Sequence, residues 1–192
     1  MRLFVAVTLG EAIESRATAA IPRLKGLARH ARWVPPTNLH LTLHFLGEVE
    51  AERLPEVKEA LAPVGPVHEP LTLTVEGGGC FGAPSHPRVL WAGVGGDTKA
   101  LGALQADVVD VLRPLGFEPE HRDYAAHLTL ARSKVPRGDR ELAECVRALR
   151  DEKWGETRVD RLILFESLGG KYHPRAEFPL GQVPSPSGRG LG

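Results

Sequence analysis

The stretch that decides the fold reads Asn38-Leu39-His40-Leu41-Thr42-Leu43, and its tetrapeptide His-Leu-Thr-Leu returns at residues 127–130. Side chains alternate between the two faces of a strand, so each histidine shares a face with the threonine two residues later, while the leucines face the core. A single histidine on a strand is more often a structural residue. Two copies favour a site where one imidazole gives a proton and the other takes one.

Composition sets the broad class. The chain has 192 residues, enough to bury a core and intermediate between one large domain and two small lobes. The repeated motif favours two lobes. The formal net charge is zero, which excludes the uniformly basic surface of a non-specific nucleic-acid coat. An anionic substrate would have to be bound locally.

The chain shows no sign of export or of membrane insertion. Cys80 and Cys145 lie far apart without a zinc-type spacing, so they are interpreted as reduced or buried thiols. The apolar run after Met1 is too short for a signal peptide, and no transmembrane stretch is evident. We therefore expect a cytoplasmic protein. Residues 1–180 are expected to form one domain, and the Gly-, Pro- and Ser-rich residues 181–192 a flexible tail.

The pattern of apolar residues predicts a mixed α+β chain. Strands and helices are expected in the order strand, helix, strand, helix, strand, strand, helix, strand, helix, strand. Residues 139–150 are expected to form the last helix, and residues 159–165 one apolar strand. Residues 77–79 are three glycines without the Gly-Lys-Ser/Thr of a phosphate loop, so they predict a hinge or turn.

Residues 32–49 resemble the first signature of the 2H phosphoesterases, in particular the bacterial and archaeal RNA 2′,3′-cyclic phosphodiesterases first described as 2′-5′ RNA ligases. They read Arg32-Trp33-Val34-Pro35-Pro36-Thr37-Asn38-Leu39-His40-Leu41-Thr42-Leu43-His44-Phe45-Leu46-Gly47-Glu48-Val49. Residues 127–132 resemble the second signature, and residues 87–94 and 164–167 resemble other strands of the family. The resemblance runs from Arg2 to Leu180. Ala126 is a departure, since family members often carry Pro there.

The resemblance implies a bilobal α+β fold of two pseudo-symmetric lobes. Each lobe would have an antiparallel sheet flanked by helices, with the histidine strands facing each other across a cleft. It also implies a substrate, RNA ending in a 2′,3′-cyclic phosphate, such as tRNA fragments, and a product ending in a 2′-phosphate. His40 would be the general acid and His127 the general base. We expect no cofactor, no metal, no membrane and a monomer.

Thr42, Thr129 and Arg132 are the candidate substrate-binding residues. The threonine hydroxyls share a face with the histidines, where they could donate hydrogen bonds to the non-bridging phosphate oxygens. Arg132 offers a permanent charge and a two-pronged grip on phosphate. Strict alternation puts Arg132 on the opposite face from His127, so its role requires the strand to end or bulge near Ala131. His44 is interpreted as an edge or surface residue.

Three alternatives stay open. A metal site would use the histidines as ligands, but no companion carboxylate has a suitable spacing, and chelator sensitivity would decide. A non-catalytic module could bind RNA ends in the same cleft. Finally, the reaction could run backwards as 2′-5′ ligation, which we rank as a side activity because water at high concentration favours hydrolysis.

Overall fold

The computed structural model describes residues 1–119 and 123–181, and within them it contains nine strands and four α-helices. The strands are β1 (Arg2–Thr8), β2 (Arg32–Trp33), β3 (His40–Glu48), β4 (Leu71–Ala83), β5 (His86–Gly96), β6 (His127–Arg132), β7 (Lys153–Val159), β8 (Arg161–Leu168) and β9 (Lys171–Pro179). The helices are α1 (Gly10–Leu27), α2 (Leu54–Leu61), α3 (Thr98–Leu112) and α4 (Arg140–Leu149). Residues 182–192 of the predicted tail lie outside the described residues.

Two antiparallel sheets form the two lobes. One sheet has four strands in the order β3-β1-β8-β9, and the other has five in the order β2-β6-β5-β4-β7. Neighbouring strands are antiparallel throughout both sheets. The two histidine strands therefore belong to different sheets, and β3 and β6 contact each other where the lobes meet. The α+β fold class with two lobes is confirmed.

The helices interleave the two lobes. Helix α1 follows β1 of the four-stranded sheet, yet it packs on β7 and α4 of the other lobe. Helix α3 follows β5 of the five-stranded sheet, yet it packs on β3 and α2. The final strands β8 and β9 then return to the first sheet. Neither lobe is therefore a continuous half of the chain.

Helix α4 shows how local sequence fixes an element. The Asp139 carboxylate accepts a hydrogen bond of 2.9 Å from the backbone N–H of Glu141, which satisfies an otherwise unpaired donor at the helix start. Leu142, Cys145 and Leu149 then recur on one face and are fully buried. The predicted helix over residues 139–150 is confirmed to within one residue at each end.

Two sequence predictions need correction. The glycines at 77–79 do not form a hinge or turn, because β4 continues through them from Leu71 to Ala83. A Cβ atom on Gly79 would lie 2.3 Å from the Trp91 ring, so the missing side chain makes room for the indole. The single strand expected over residues 159–165 is divided at Asp160 into the end of β7 and the start of β8.

One hydrophobic core joins both lobes. Its fully buried side chains include Val5 and Leu41 of the four-stranded sheet together with Leu90 and Leu128 of the five-stranded sheet. A second, smaller cluster covers the other face of the four-stranded sheet and consists of Phe4, Ala6, Ile163 and Phe165, with Tyr172 packed against it. In the part of the chain that the structure describes, no helix is both long and apolar enough to cross a membrane.

Candidate active site

His40 and His127 occupy matching places in the two sheets, each as the first residue of its strand. The Nδ1 atom of His40 lies 2.7 Å from the carbonyl oxygen of Asn38, and that of His127 lies 2.7 Å from the carbonyl oxygen of Ala125. A carbonyl oxygen can only accept, so Nδ1 carries the proton and donates it in both residues. In the neutral form of each ring, Nε2 is therefore the nitrogen that carries the basic lone pair.

Both histidine strands carry a β-bulge three residues after the histidine. In β3, Thr42 faces Ala6 and His44 faces Val5, so Leu43 is the extra residue. In β6, Thr129 faces Trp91 and Ala131 faces Leu90, so Leu130 is the extra residue. A bulge shifts the alternation of faces by one residue. Accordingly, the residue after each bulge, His44 or Ala131, is buried like the leucine before it.

The bulge in β6 turns Arg132 onto the face of His127 and Thr129. It lies at Leu130, directly before the position where the sequence argument required an interruption. Arg132 is exposed, and its charge acts on His40 of the opposite lobe. The structure thus brings Arg132 together with both histidines, although simple alternation predicted the opposite face.

The bulge in β3 likewise shifts the strand faces of the two residues that follow it, His44 and Phe45. Phe45 occupies the place in β3 that Arg132 occupies in β6, and this residue is 48% exposed. His44 turns inward instead, with only 5% exposure, and its Nε2 atom lies 3.2 Å from the carbonyl oxygen of Phe117. His44 therefore lies on an edge strand, as one part of its interpretation had it, but the interpretation as a surface residue is wrong.

Aromatic rings hold both imidazoles in place. The His40 ring lies 5.0 Å from the ring of Phe4 and 5.0 Å from that of Tyr172, which meets it edge-on at 90°. Phe81 meets His127 in the same way, at 4.7 Å and 86°. These three aromatic residues were not predicted from the sequence. The only available signal was the parity of Phe4 with Ala6 in β1, opposite to the core-facing Leu3, Val5 and Val7.

The environment of His40 disfavours its charged form. Burial is the main cause that lowers the pKa of His40, and the nearby charges of Arg132 and His127 lower it further, whereas the bond to Asn38 acts to raise it. Asn38 also donates a 3.0 Å hydrogen bond from its side-chain amide to the carbonyl oxygen of Gly170. That bond ties the loop before β3 to the β8–β9 turn, two residues before Tyr172 of β9.

A cavity of about 400 Å³ opens beside the two strands. Its wall includes Thr42 and Phe45 of β3, His127 of β6, and Phe81 and Tyr124. One side is closed by polar residues, namely Gln105 and Asp110 of helix α3 and Arg113 directly after that helix. The Tyr124 hydroxyl is buried without a hydrogen-bond partner among the described residues, and burial raises the pKa of Tyr124. The cavity therefore offers an aromatic wall and several polar atoms to a ligand bound at the histidines.

The predicted site residues are thus distributed over two strands from different sheets. His40 and Thr42 lie on β3, and His127, Thr129 and Arg132 lie on β6. Both threonines are partly exposed on the histidine faces. Within residues 1–119 and 123–181, no group of three or more His, Cys, Asp or Glu side chains is arranged to hold a metal ion.

Comparisons with known proteins identify the family of the chain. Residues 8–91 and 95–175 match the family described as LigT like phosphoesterase. The RNA 2′,3′-cyclic phosphodiesterase of Archaeoglobus fulgidus is 38% identical over 168 residues, which cover 88% of this chain and 92% of that protein. The enzyme of the same name from Methanothermobacter thermautotrophicus is 33% identical over 167 residues, covering 87% of this chain and 90% of the relative.

Solved structures share the fold of this chain. The crystal structure of Escherichia coli LigT complexed with 3′-AMP superposes with a TM-score of 0.68 at 26% identity, covering 94% of this chain and 98% of that one. A crystal structure described as a phosphoesterase superposes with a TM-score of 0.72 at 26% identity and the same coverage. These similarities extend over both lobes and include both histidine strands.

Proposed function

Because the chain belongs to the LigT-like phosphoesterase family, we propose that it hydrolyses the 2′,3′-cyclic phosphate at the end of an RNA and leaves a 2′-phosphate. The observation that carries the proposal is the matched pair of histidines. Each Nδ1 atom donates to a backbone carbonyl, which orients both imidazoles in the same way at the start of their strands. One pair of imidazoles supplies both proton transfers that the reaction needs, so we propose that no metal ion takes part.

Opening the ring requires in-line attack at phosphorus. Water enters on one side, and the bond between phosphorus and the 3′ oxygen breaks on the other. We assign His127 as the base that takes a proton from water, and His40 as the acid that protonates the departing 3′ oxygen. The placement of the two histidines on strands of opposite lobes supports this division, because the entering and leaving groups lie on opposite sides of phosphorus.

The lowered pKa of His40 fits an acid that is charged mainly when substrate is bound. In the free protein, burial and the positive charge of Arg132 both act against protonation of His40. A bound phosphate brings negative charge next to both groups and thereby favours the protonated imidazole. The substrate itself would then prepare His40 for its role.

Thr42, Thr129 and Arg132 are proposed to bind the phosphate. The two hydroxyls would donate to the non-bridging oxygens, and the Arg132 guanidinium would donate two parallel hydrogen bonds. The 400 Å³ cavity is within the size range of small-ligand pockets, so the terminal nucleoside would lie there, between Phe45 and Tyr124. With the 5′ hydroxyl of a second RNA attacking in place of water, the same two proton transfers would break the bond to the 3′ oxygen and join the RNA ends through a 2′-5′ bond, as a side activity.

We also propose that the protein acts as a monomer in the cytoplasm, on RNA ends such as those of tRNA fragments. The residues assigned to both proton transfers come from one chain, so a second copy adds nothing that the chemistry needs. Both cysteines are free, which suits a reducing compartment. Light scattering of the purified protein at assay concentration tests the monomer.

The function is tested with a short oligonucleotide that ends in a 2′,3′-cyclic phosphate, incubated with the protein in EDTA. Hydrolysis to a 2′-phosphate is the expected result. A 3′-phosphate product would mean that the other ester bond breaks and would contradict the assignment. Tight binding without turnover would instead identify a module that holds RNA ends.

A further inference from the structure

Arg32 lies directly opposite Arg132 in the five-stranded sheet. The short strand β2 pairs with β6 so that Arg32 faces Arg132 and Trp33 faces Ala131. Side chains at directly opposite positions of an antiparallel pair point to the same face. Because the bulge in β6 places Arg132 on the histidine face, Arg32 lies on that face as well, one strand further from His127.

The packing of the neighbours supports this placement. Ala131 and its partner Leu90 in β5 are fully buried, so they occupy the core side of the sheet. Trp33, opposite Ala131, packs against that core and donates a 3.0 Å hydrogen bond from its indole N–H to the carbonyl oxygen of Ala28. Arg32 precedes Trp33 on the strand and therefore points away from the core, where it is exposed.

Two arginines in this arrangement repel each other. Like charges directly opposite on a sheet are destabilising. Elsewhere in the described chain, arginines such as Arg23, Arg147 and Arg161 are paired with carboxylates. Among residues 1–119 and 123–181, no carboxylate forms an ion pair with Arg32 or Arg132. The unneutralised pair is therefore suited to an anion with two separate negative charges.

Resting on the function proposed above, we propose that Arg32 binds the phosphodiester that precedes the cyclic phosphate in the RNA chain. An RNA that ends in a cyclic phosphate continues only towards its 5′ side, so the next phosphate is always upstream. Strands in a sheet lie about 4.8 Å apart, and two long arginine side chains on adjacent strands can spread to reach successive phosphates. Arg132 holds the reacting phosphate, and Arg32 holds its neighbour.

A contact between Arg32 and the upstream phosphate would make the protein prefer RNA over free nucleotides. A nucleoside 2′,3′-cyclic phosphate has no upstream phosphate and cannot reach Arg32. A dinucleotide with the same cyclic end has one. The dinucleotide should therefore be the better substrate, and the difference should depend on Arg32.

The test compares kcat/KM for these two substrates in the wild type and in Arg32→Ala and Arg32→Gln. In both variants kcat/KM is expected to fall about tenfold on the dinucleotide, which is the effect of losing one hydrogen bond to a charged group. On the nucleoside cyclic phosphate it should fall less than twofold. The salt dependence of log kcat/KM on the dinucleotide should become shallower by about 0.7, the value for one phosphate contact on a single strand. Arg158→Ala is the matched control, because Arg158 is exposed on β7 at the other edge of the same sheet.

Each other outcome counts against the proposal. Equal losses on both substrates would mean that Arg32 acts on the reacting phosphate or on the fold, and unchanged kinetics on the dinucleotide would mean that it binds no phosphate. A loss in Arg158→Ala of the same size would reduce the effect to general surface charge. If the wild type turned over neither substrate, the proposed function itself would fail, and the assignment of Arg32 with it.

Discussion

His40, the proposed proton donor, lies in surroundings that disfavour its charge. Burial holds its pKa below the ordinary value of 6.5, and Arg132 and His127 add repulsion. Below pH 6.5 the unfolded chain therefore binds a proton at this residue before the folded chain does. The stability that neutral His40 contributes is complete above pH 6.5 and is lost as the pH falls through the lowered pKa.

We therefore expect the free energy of unfolding to decrease between pH 7 and pH 5, and to decrease less in His40→Gln, which cannot titrate. Urea denaturation at a series of pH values, followed by circular dichroism, measures the difference. A variant that lost as much stability as the wild type over this range would show that His40 is not the titrating group.

Thr42 and Thr129 allow phosphate recognition to be separated from proton transfer. Thr42→Val and Thr129→Val keep the branched shape and remove only the hydroxyl, which should cost about 1–3 kcal/mol of transition-state stabilisation. Steady-state kinetics on a cyclic-phosphate oligonucleotide would record this as a fall in kcat/KM without a change in melting temperature. Thr72→Val, at an exposed position of β4, is the matched control and should change neither. Unaltered kinetics in both site variants would return the two threonines to a purely structural role.

At the scale of single residues, the sequence predicted which side chains share a strand face but not which hydrogen bonds they make. The repeated spacing indicated the two histidine–threonine pairs correctly. The bonds from Nδ1 to Asn38 and Ala125 could not be predicted, because they depend on how the preceding loops turn their carbonyl groups. The inward turn of His44 could not be predicted either, because an imidazole occurs both in a core and on a surface.

At the scale of elements, the two β-bulges decide what faces the cleft. Each one inserts a leucine, Leu43 or Leu130, next to a residue that is also buried. The sequence of such a bulged strand differs little from that of a regular strand, because an extra leucine fits an apolar run in either register. Alternation therefore predicted the wrong face for Arg132, and only the pairing with β5 resolves it.

Strand β4 offers a second test at this scale. The Trp91 ring lies over Gly79, where an added Cβ atom would come within 2.3 Å of it. Gly79→Ala should therefore displace the Trp91 indole, whose ring lies 5.7 Å from that of Phe81, and Phe81 in turn contacts His127. We expect a shifted tryptophan emission spectrum together with reduced turnover. Gly102→Ala is the control, since a Cβ atom there meets nothing within 4 Å. Identical spectra and activity in Gly79→Ala would show that the Trp91 position is not coupled to the site.

At the scale of the whole molecule, the interleaved helices predict a single unfolding unit. Each sheet is covered by a helix that follows a strand of the other sheet, and one core spans both. Composition and the repeated motif were enough to predict two lobes. The exchange of α1 and α3 was not predictable, because the apolar faces of these helices do not specify which sheet they cover.

Tryptophan fluorescence can test this cooperativity, because Trp33, Trp91 and Trp154 all lie in the five-stranded sheet. Far-ultraviolet circular dichroism reports on both lobes. The two signals should give coincident urea denaturation curves, as expected for a two-state transition. A separate transition seen only by circular dichroism would show that the four-stranded lobe unfolds independently.

Proton transfer by two histidines is the central step of the proposed function, and the most direct test is turnover of a cyclic-phosphate oligonucleotide in EDTA by His40→Ala and His127→Ala. Each substitution should lower kcat by about 10²–10⁴-fold, the usual contribution of an acid or base group, while the folded structure and substrate binding persist. Because the two groups act in one step, the double variant should lose little more than either single variant. More than half of the wild-type turnover remaining in either single variant would contradict the two-histidine mechanism.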